Sequence, residues 1–402
     1  MGKRKAWILN LGLTLGSVLF GVFIGEIGLR LAGIEGLKKL PQPGHGNFSP
    51  SFYTMSHPDL GWVNRPGASG IWEQEGKAYI EINIEGLRDN IHPKTKAKDA
   101  VRIAVLGDSF TLAVQVDVKQ TYWSVMENEL KSCQGLKGKT VEVMNFGVDG
   151  YGTAQELLML REKVWDYNPD IVILSFFIGN DVIDNSPELE SNHYRPFFVY
   201  KDGELVPDYS FRNLSLEHSD RYWITTVDRL PMWLVNHSII LQVAKKAERD
   251  LKQKNLLLHL NKLTAKNFRE PTEPVWQEAW KVTEDLITMM NQEVQEKNAE
   301  FLFVTIADPI QVHPNPAFRQ SFMNTHQIED LSYPEKRLKT LGNNQGFPVL
   351  NLVEPFQTYS EQNNICLHGF ETAVPCAGHW NPDGHEFAGK LIANQLCQQV
   401  KK

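Results

Sequence analysis

The chain has 402 residues, 42% hydrophobic and 22% charged, enough to bury a core and to fill two or three domains at roughly 150 residues each. Its 41 basic and 48 acidic residues leave a net charge of −7, which argues against a general nucleic-acid binder; 29 Gly and 21 Pro are too few for collagen-like or low-complexity classes. A mean hydropathy of −0.33 excludes a multi-span membrane protein and leaves room for one span.

Residues Ala6 to Gly25 carry no charge and follow Lys3, Arg4 and Lys5. About 20 apolar residues cross a bilayer core, and a basic flank stays cytoplasmic. The pattern predicts an uncleaved signal anchor over residues 1–35, a transmembrane helix in the plasma (inner) membrane with the rest of the chain extracytoplasmic or periplasmic. Cleavage near Leu31-Ala32-Gly33 is the alternative. Gly12, Gly16, Gly21 and Gly25 form two small-xxx-small pairs, a spacing that lets anchors pack and that membrane helices also carry without pairing. An oxidising location suits the even count of cysteines, Cys133, Cys366, Cys376 and Cys397. Cys366 and Cys376 lie close in sequence and are the candidate pair, leaving Cys133 with Cys397; free buried thiols are the other reading.

Residues 36–100 are rich in Pro, Gly and aromatics and read as a stalk and collar, ending in a strand near Tyr79–Ile84. From Val101 strands alternate with helices. Continuous apolar runs at Val101–Leu106, Val141–Phe146, Ile171–Ile178, Phe301–Ile306 and Pro348–Leu352 mark strands buried on both faces. Helical patterns lie near Gln120–Lys131, Ala154–Val164, Trp276–Lys297 and Gly384–Gln399. Together they predict an α/β domain over 101–402 with a five-stranded parallel sheet and ligands at the C-terminal strand ends. The interval of about 185–274 is too long for a βα connection. With Tyr194, Phe197, Phe198, Tyr222 and Trp223, then a helical stretch over Ser238–Ala265, it reads as an inserted cap.

The chemistry-bearing residues fall just past those strand ends. Gly107-Asp108-Ser109-Phe110 follows the first strand, Gly147-Val148-Asp149-Gly150 the second and Gly179-Asn180-Asp181 the third; Gly378-His379-Trp380-Asn381 precedes the last helix. A serine at a strand-to-helix turn exposes its hydroxyl. The backbone N–H groups of Ser109 and Gly150 and the Asn180 amide are three donors for an oxyanion, and His379 is a base near neutral pH. That set is what acyl transfer requires.

These four blocks resemble the SGNH (GDSL-type) hydrolase superfamily over about residues 101–400, and the collar (DLGWVNRPG, EGLRDN) resembles that of membrane-anchored bacterial members. The resemblance implies a flavodoxin-like three-layer α/β/α fold and ester hydrolysis. By it Ser109 is the nucleophile, His379 the general base, and Ser109, Gly150 and Asn180 the oxyanion hole. The chain departs from the family at the acid that usually stands two or three residues before the histidine, where Cys376 and Ala377 are found. Three arrangements fit: Glu371 or an acid from elsewhere substitutes; a backbone carbonyl orients His379 in a Ser–His dyad stiffened by a Cys366–Cys376 disulfide; or the site is degraded and only binds.

Other chemistries are disfavoured. The glycines of Gly147-x-x-Gly150-x-Gly152 are wrongly spaced for a dinucleotide loop, so no cofactor is expected. No H-E-x-x-H or C-x-x-C motif is present, so no metal is expected either. Asp108 and Asp181 read as turn or cap residues, and His385 as a histidine starting the last helix. Trp380 reads equally as a pocket wall or as packing. Asn47, Asn213 and Asn236 stand in N-x-S sequons. The expected protein is a membrane-anchored extracytoplasmic serine esterase acting on an O-acylated glycan or lipid ester. An O-acyltransferase with the same site and a non-catalytic polysaccharide-binding module are the alternatives. No nucleic-acid partner is expected, and the oligomeric state is open.

Overall fold

The computed structural model describes residues 2–31, 52–73, 75–214, 263–371 and 375–400, together with 230, 234, 238–244 and 247–248. Two compact units form, Met1–Ser49 with Leu216–Leu260, and Pro50–Ser215 with Asn261–Lys402.

In the first unit the apolar run is helical, α1 (Gly2–Leu31), with Phe20 and Phe23 on its exposed surface. The Glu26 carboxylate accepts from Ser238 Oγ (3.1 Å) and from the Ile239 and Ile240 N–H groups (2.8 and 3.2 Å), satisfying the first donors of the helical turn there. Among the described residues, no helix is long and apolar enough to cross a membrane. The expected membrane span falls on a run whose side chains are described only in part. The side chains up to residue 12 and those of residues 15, 18 and 19 lie outside the described residues, and the described part of α1 takes in Glu26 and Arg30, an ion pair at 2.8 Å. The stalk expected near residues 36–50 also lies outside the described residues, as does most of the helical stretch expected over Ser238–Ala265.

The second unit begins with two antiparallel hairpins, β1 (Thr54–His57) with β2 (Gly61–Asn64), and β3 (Ser69–Trp72) with β4 (Ala78–Glu81). The five apolar runs then form β5 (Ala100–Gly107), β6 (Thr140–Asn145), β7 (Ile171–Phe177), β10 (Glu300–Ile306) and β11 (Val349–Asn351), all parallel. The hairpin β8 (Phe197–Lys201) and β9 (Glu204–Asp208) occupies the start of the long insertion. The sheet order is β11-β10-β7-β5-β6, the flavodoxin-like order, whose direction reverses between β5 and β7 and opens a crevice there.

Alternation along each strand builds two cores. Ala104, Leu106, Leu174 and Phe303 face α4 (Thr153–Glu162) and α6 (Pro274–Glu296), meeting Leu157, Trp280 and Leu286. Ile103, Val105, Ile173 and Val304 face the other side, meeting Met126 of α3 (Tyr122–Leu130), Phe356 of α9 (Val353–Asn363) and Ile392 of α10 (Pro382–Val400). The result is the three-layer α/β/α architecture expected from the sequence. Three helices the sequence reading left out are α7 (Pro316–His326), α8 (Tyr333–Gln345) and α9 (Val353–Asn363). Arg319 is the one buried residue of α7, so its apolar periodicity is weak.

The collar is built into this domain. Ile80 and Ile82 pack with Tyr53, Leu112 and Val114. Arg88 is fully buried, and its guanidinium donates to the carbonyls of Leu112 (2.9 Å), Ala113 and Val116 (2.5 Å). Burial lowers its pKa to about 10. Asn145, at the end of β6, donates to the Arg88 carbonyl (3.2 Å). Arg88 therefore ties the collar to the segment that follows Ser109. Each buried carbonyl left without a donor costs about 1–3 kcal/mol. Arg88→Met is expected to lower the unfolding free energy by about 3–5 kcal/mol, measured by urea denaturation.

Candidate active site

Ser109 stands at the first position of α2 (Ser109–Leu112), directly after β5. Asp108 caps this turn, its carboxylate accepting from the Phe110 N–H at 2.9 Å. Across the crevice, Asn180 follows β7 and donates to the carboxylates of Asp108 (3.4 Å) and Asp184 (3.2 Å). Gly150 lies in the turn after β6, in the left-handed region at φ 69°. Its carbonyl accepts from Arg195 at 2.9 Å. Among the described residues, the backbone N–H groups of Ser109 and Gly150 are committed to no other group.

His379 reaches Ser109 from the C-terminal end of the chain, its Nε2 2.8 Å from Ser109 Oγ. The loop that carries it is pinned to residues 366–369. His368 Nδ1 meets the Gly378 carbonyl (2.9 Å), the Gly369 N–H donates to the His379 carbonyl (2.9 Å), and the Asn381 amide donates to the Cys366 carbonyl (2.7 Å). Cys366 is disulfide-bonded to Cys376, and Cys133 to Cys397, the pairing expected from spacing.

The acid is Glu75. Its Oε2 lies 2.6 Å from His379 Nδ1, and its Oε1 accepts from the His379 backbone N–H at 2.7 Å. Glu75 belongs to the turn between β3 and β4, and Trp72 Nε1 donates to its carbonyl at 2.9 Å. Gly378 makes room for it. A Cβ there would stand 2.1 Å from Glu75 Oε1, and the backbone has φ 76°, so only glycine fits. This overturns the expectation for Glu371, which is exposed in a turn beyond Gly369. It also overturns the carbonyl-supported dyad. Cys376 (φ 58°) and Gly378 (φ 76°) are both left-handed in the loop before His379, and Nδ1 meets the collar's Glu75. Of the three arrangements, the acid from elsewhere in the fold is the one present. Nothing local in the sequence marks Glu75, which lies 304 positions from its partner.

The charges support one another. Burial opposes the charged form of His379, but the Glu75 charge and hydrogen bond, with Asp108 and Asp149 behind them, raise its pKa above the usual histidine value. Burial likewise works against the Glu75 carboxylate, and the His379 charge and its two hydrogen bonds hold it below the usual carboxylate value. Burial pushes Asp108 up to about 6. The other sequence candidates are structural. Asp181 accepts from the Phe177 N–H (2.7 Å). His385 is buried, lowered to about 3 by burial, and stacked on Tyr122. Trp380 is fully buried against Phe110, Tyr122 and Phe356, so it packs. His57, Asp59 and Glu162 converge at the surface, but His57 pairs with Glu162 and Asp59 with Arg212.

No family model matches the chain, and no curated protein matches it. Among solved structures it is similar to an acetyl xylan esterase (14% identity, 74% of this chain and 100% of that one, TM-score 0.38). It is similar also to a catalytic mutant of an acetylxylan esterase from Geobacillus stearothermophilus (9%, 77% and 96%, TM-score 0.36) and to a GDSL-like lipase from Bacteroides thetaiotaomicron (11%, 74% and 88%, TM-score 0.33).

His379 can take a proton from Ser109 only while its Nε2 is unprotonated. With its pKa raised, reactivity at Ser109 is expected to rise with pH through a midpoint above the ordinary histidine value. Glu75→Gln removes the charge that raises it, moving the midpoint to lower pH and cutting turnover by about 10²–10⁴. Glu371→Gln should do neither. The pH dependence of kcat/KM on an aryl acetate measures both.

Proposed function

We propose that this chain is an SGNH-type serine esterase that cleaves carboxylic esters through an acyl-enzyme. The observation that carries this reading is the continuous Ser109–His379–Glu75 hydrogen-bond relay at the switch point of the sheet. In the proposed cycle His379 Nε2 takes the Ser109 proton as Oγ attacks the ester carbonyl. The Ser109 and Gly150 N–H groups receive the developing oxyanion, and the Asn180 amide joins them by exchanging its long bond to Asp108 (3.4 Å) for one to the substrate oxygen. His379 then protonates the departing alcohol. Water, deprotonated by the same imidazole, attacks the acyl-serine, and Ser109 recovers its proton. Glu75 holds the Nδ1 proton and stabilises the imidazolium formed in both halves.

A hydroxyl other than water at the second step would make the same site an O-acyltransferase. The purely binding reading loses its motive, since it rested on the lack of an acid that Glu75 now supplies. The two disulfides support an oxidising, extracytoplasmic setting. There, O-acylated glycans or lipid esters are the proposed substrate classes.

The purified protein is expected to hydrolyse short-chain 4-nitrophenyl esters and to be labelled at Ser109 by a fluorophosphonate. Ser109→Ala should abolish labelling and lower turnover by at least about 10³. Ester turnover that survives in Ser109→Ala, or a wild type that neither turns over nor labels, overturns the proposal.

A further inference from the structure

Asp149 stands one residue before Gly150, in a loop held against the serine turn. The Val148 N–H donates to the Gly107 carbonyl (3.1 Å), and a Cβ on Gly147 would come within 2.6–2.7 Å of the Thr111–Leu112 backbone. The collar holds this loop from the other side. Asn64 donates to the Gly147 carbonyl (3.0 Å), Trp62 Nε1 to the Asp149 carbonyl (2.8 Å), and Tyr53 OH to Asp149 Oδ2 (3.3 Å). Tyr53 in turn touches Trp72, whose indole holds the Glu75 turn. The Asp149 carboxylate is half-buried in this corner, where it feels the charges of both His379 and Glu75.

Its placement is unusual for the relay it adjoins. Turnover builds negative charge on the carbonyl oxygen beside the Gly150 N–H, yet a carboxylate sits on the neighbouring residue. Neither the relay nor the cap of α2 uses it, and its hydrogen bond to Tyr53 is long. Burial pushes its pKa up, partly offset by His379 and Tyr53. With Glu75 and Asp108 it is one of three acids whose charges reach the imidazole, while the Arg195 guanidinium on the Gly150 carbonyl is already paired with Asp184 and Glu190.

We propose that Asp149 is a specificity-determining residue whose carboxylate turns this site against esters that carry a negative charge near the scissile bond. The inference rests on the esterase reading and adds a substrate class to it, uncharged esters, with anionic ones excluded by like-charge repulsion. At a half-buried position such repulsion is worth about tenfold in kcat/KM.

The test uses two acetates of matched shape, 4-acetoxybenzenesulfonamide (neutral) and 4-acetoxybenzenesulfonate (anionic), at pH 8 and low salt. The wild type is expected to prefer the neutral ester by about tenfold. Asp149→Asn, which keeps a partner for Tyr53, should reduce that ratio to about twofold or less. The ratio cancels any general change in turnover, and hydrolysis of the neutral ester by the variant shows that it is folded. Raising the salt concentration should shrink the wild-type ratio as well, a readout that needs no variant. A wild-type ratio near one, or a ratio unchanged in Asp149→Asn, overturns the assignment while leaving the esterase reading intact. Failure of the wild type to hydrolyse either ester fells both.

Discussion

The structure depends on one contact, the carboxylate of Glu75 against the imidazole of His379. It joins a turn near the start of the described collar to a loop near the end of the chain. A histidine hydrogen-bonded to a serine alone has no fixed tautomer. A carboxylate at Nδ1 fixes the proton there and leaves Nε2 to accept from Ser109. Because Glu75 bonds both the ring and the backbone N–H of His379, it positions the loop as well as the ring.

That requirement explains the collar. A hairpin tip holding an acid within hydrogen-bond distance must itself be rigid, and two short strands are marginal alone. Here the hairpin is fixed by a small apolar core shared with Leu112 and Val114, by the Trp72 indole on the Glu75 carbonyl, and by Arg88 bound to the carbonyls after Ser109. The segment is therefore part of the α/β domain's structure and more than a spacer before it. The same packing brings Tyr53 and Trp62 onto the Gly147–Gly150 loop and holds Asp149 there.

The domain resolves a conflict common to buried catalytic acids. Desolvation works against every charge in the corner, and the opposite charges of Glu75 and His379 offset it for each other. Asp108 and Asp149 have weaker compensation, and their carboxyls are pushed upward instead. The relay pair offsets its own burial with opposite charges, whereas Asp108 and Asp149 are held by hydrogen bonds from uncharged donors.

Much of this protein was legible in one dimension. Five apolar runs with helices between them determined a parallel sheet, because strands buried on both faces leave no polar alternation to hide them. Ser109, Gly150, Asn180 and His379 stood at strand ends, where backbone donors and exposed hydroxyls collect, so their candidacy followed from local pattern. The cysteine pairs followed from count and spacing. The N-terminal run was legible as helix, but nothing in the described residues carries it across a membrane. The acid was beyond local reading. Hydrogen bonds form between groups close in space, and the sequence separation of Glu75 and His379 carries no record of their distance. Glu371 was nearer along the chain and plays no part. Only the folding of the hairpin against the segment after Ser109 decided which carboxylate completes the relay.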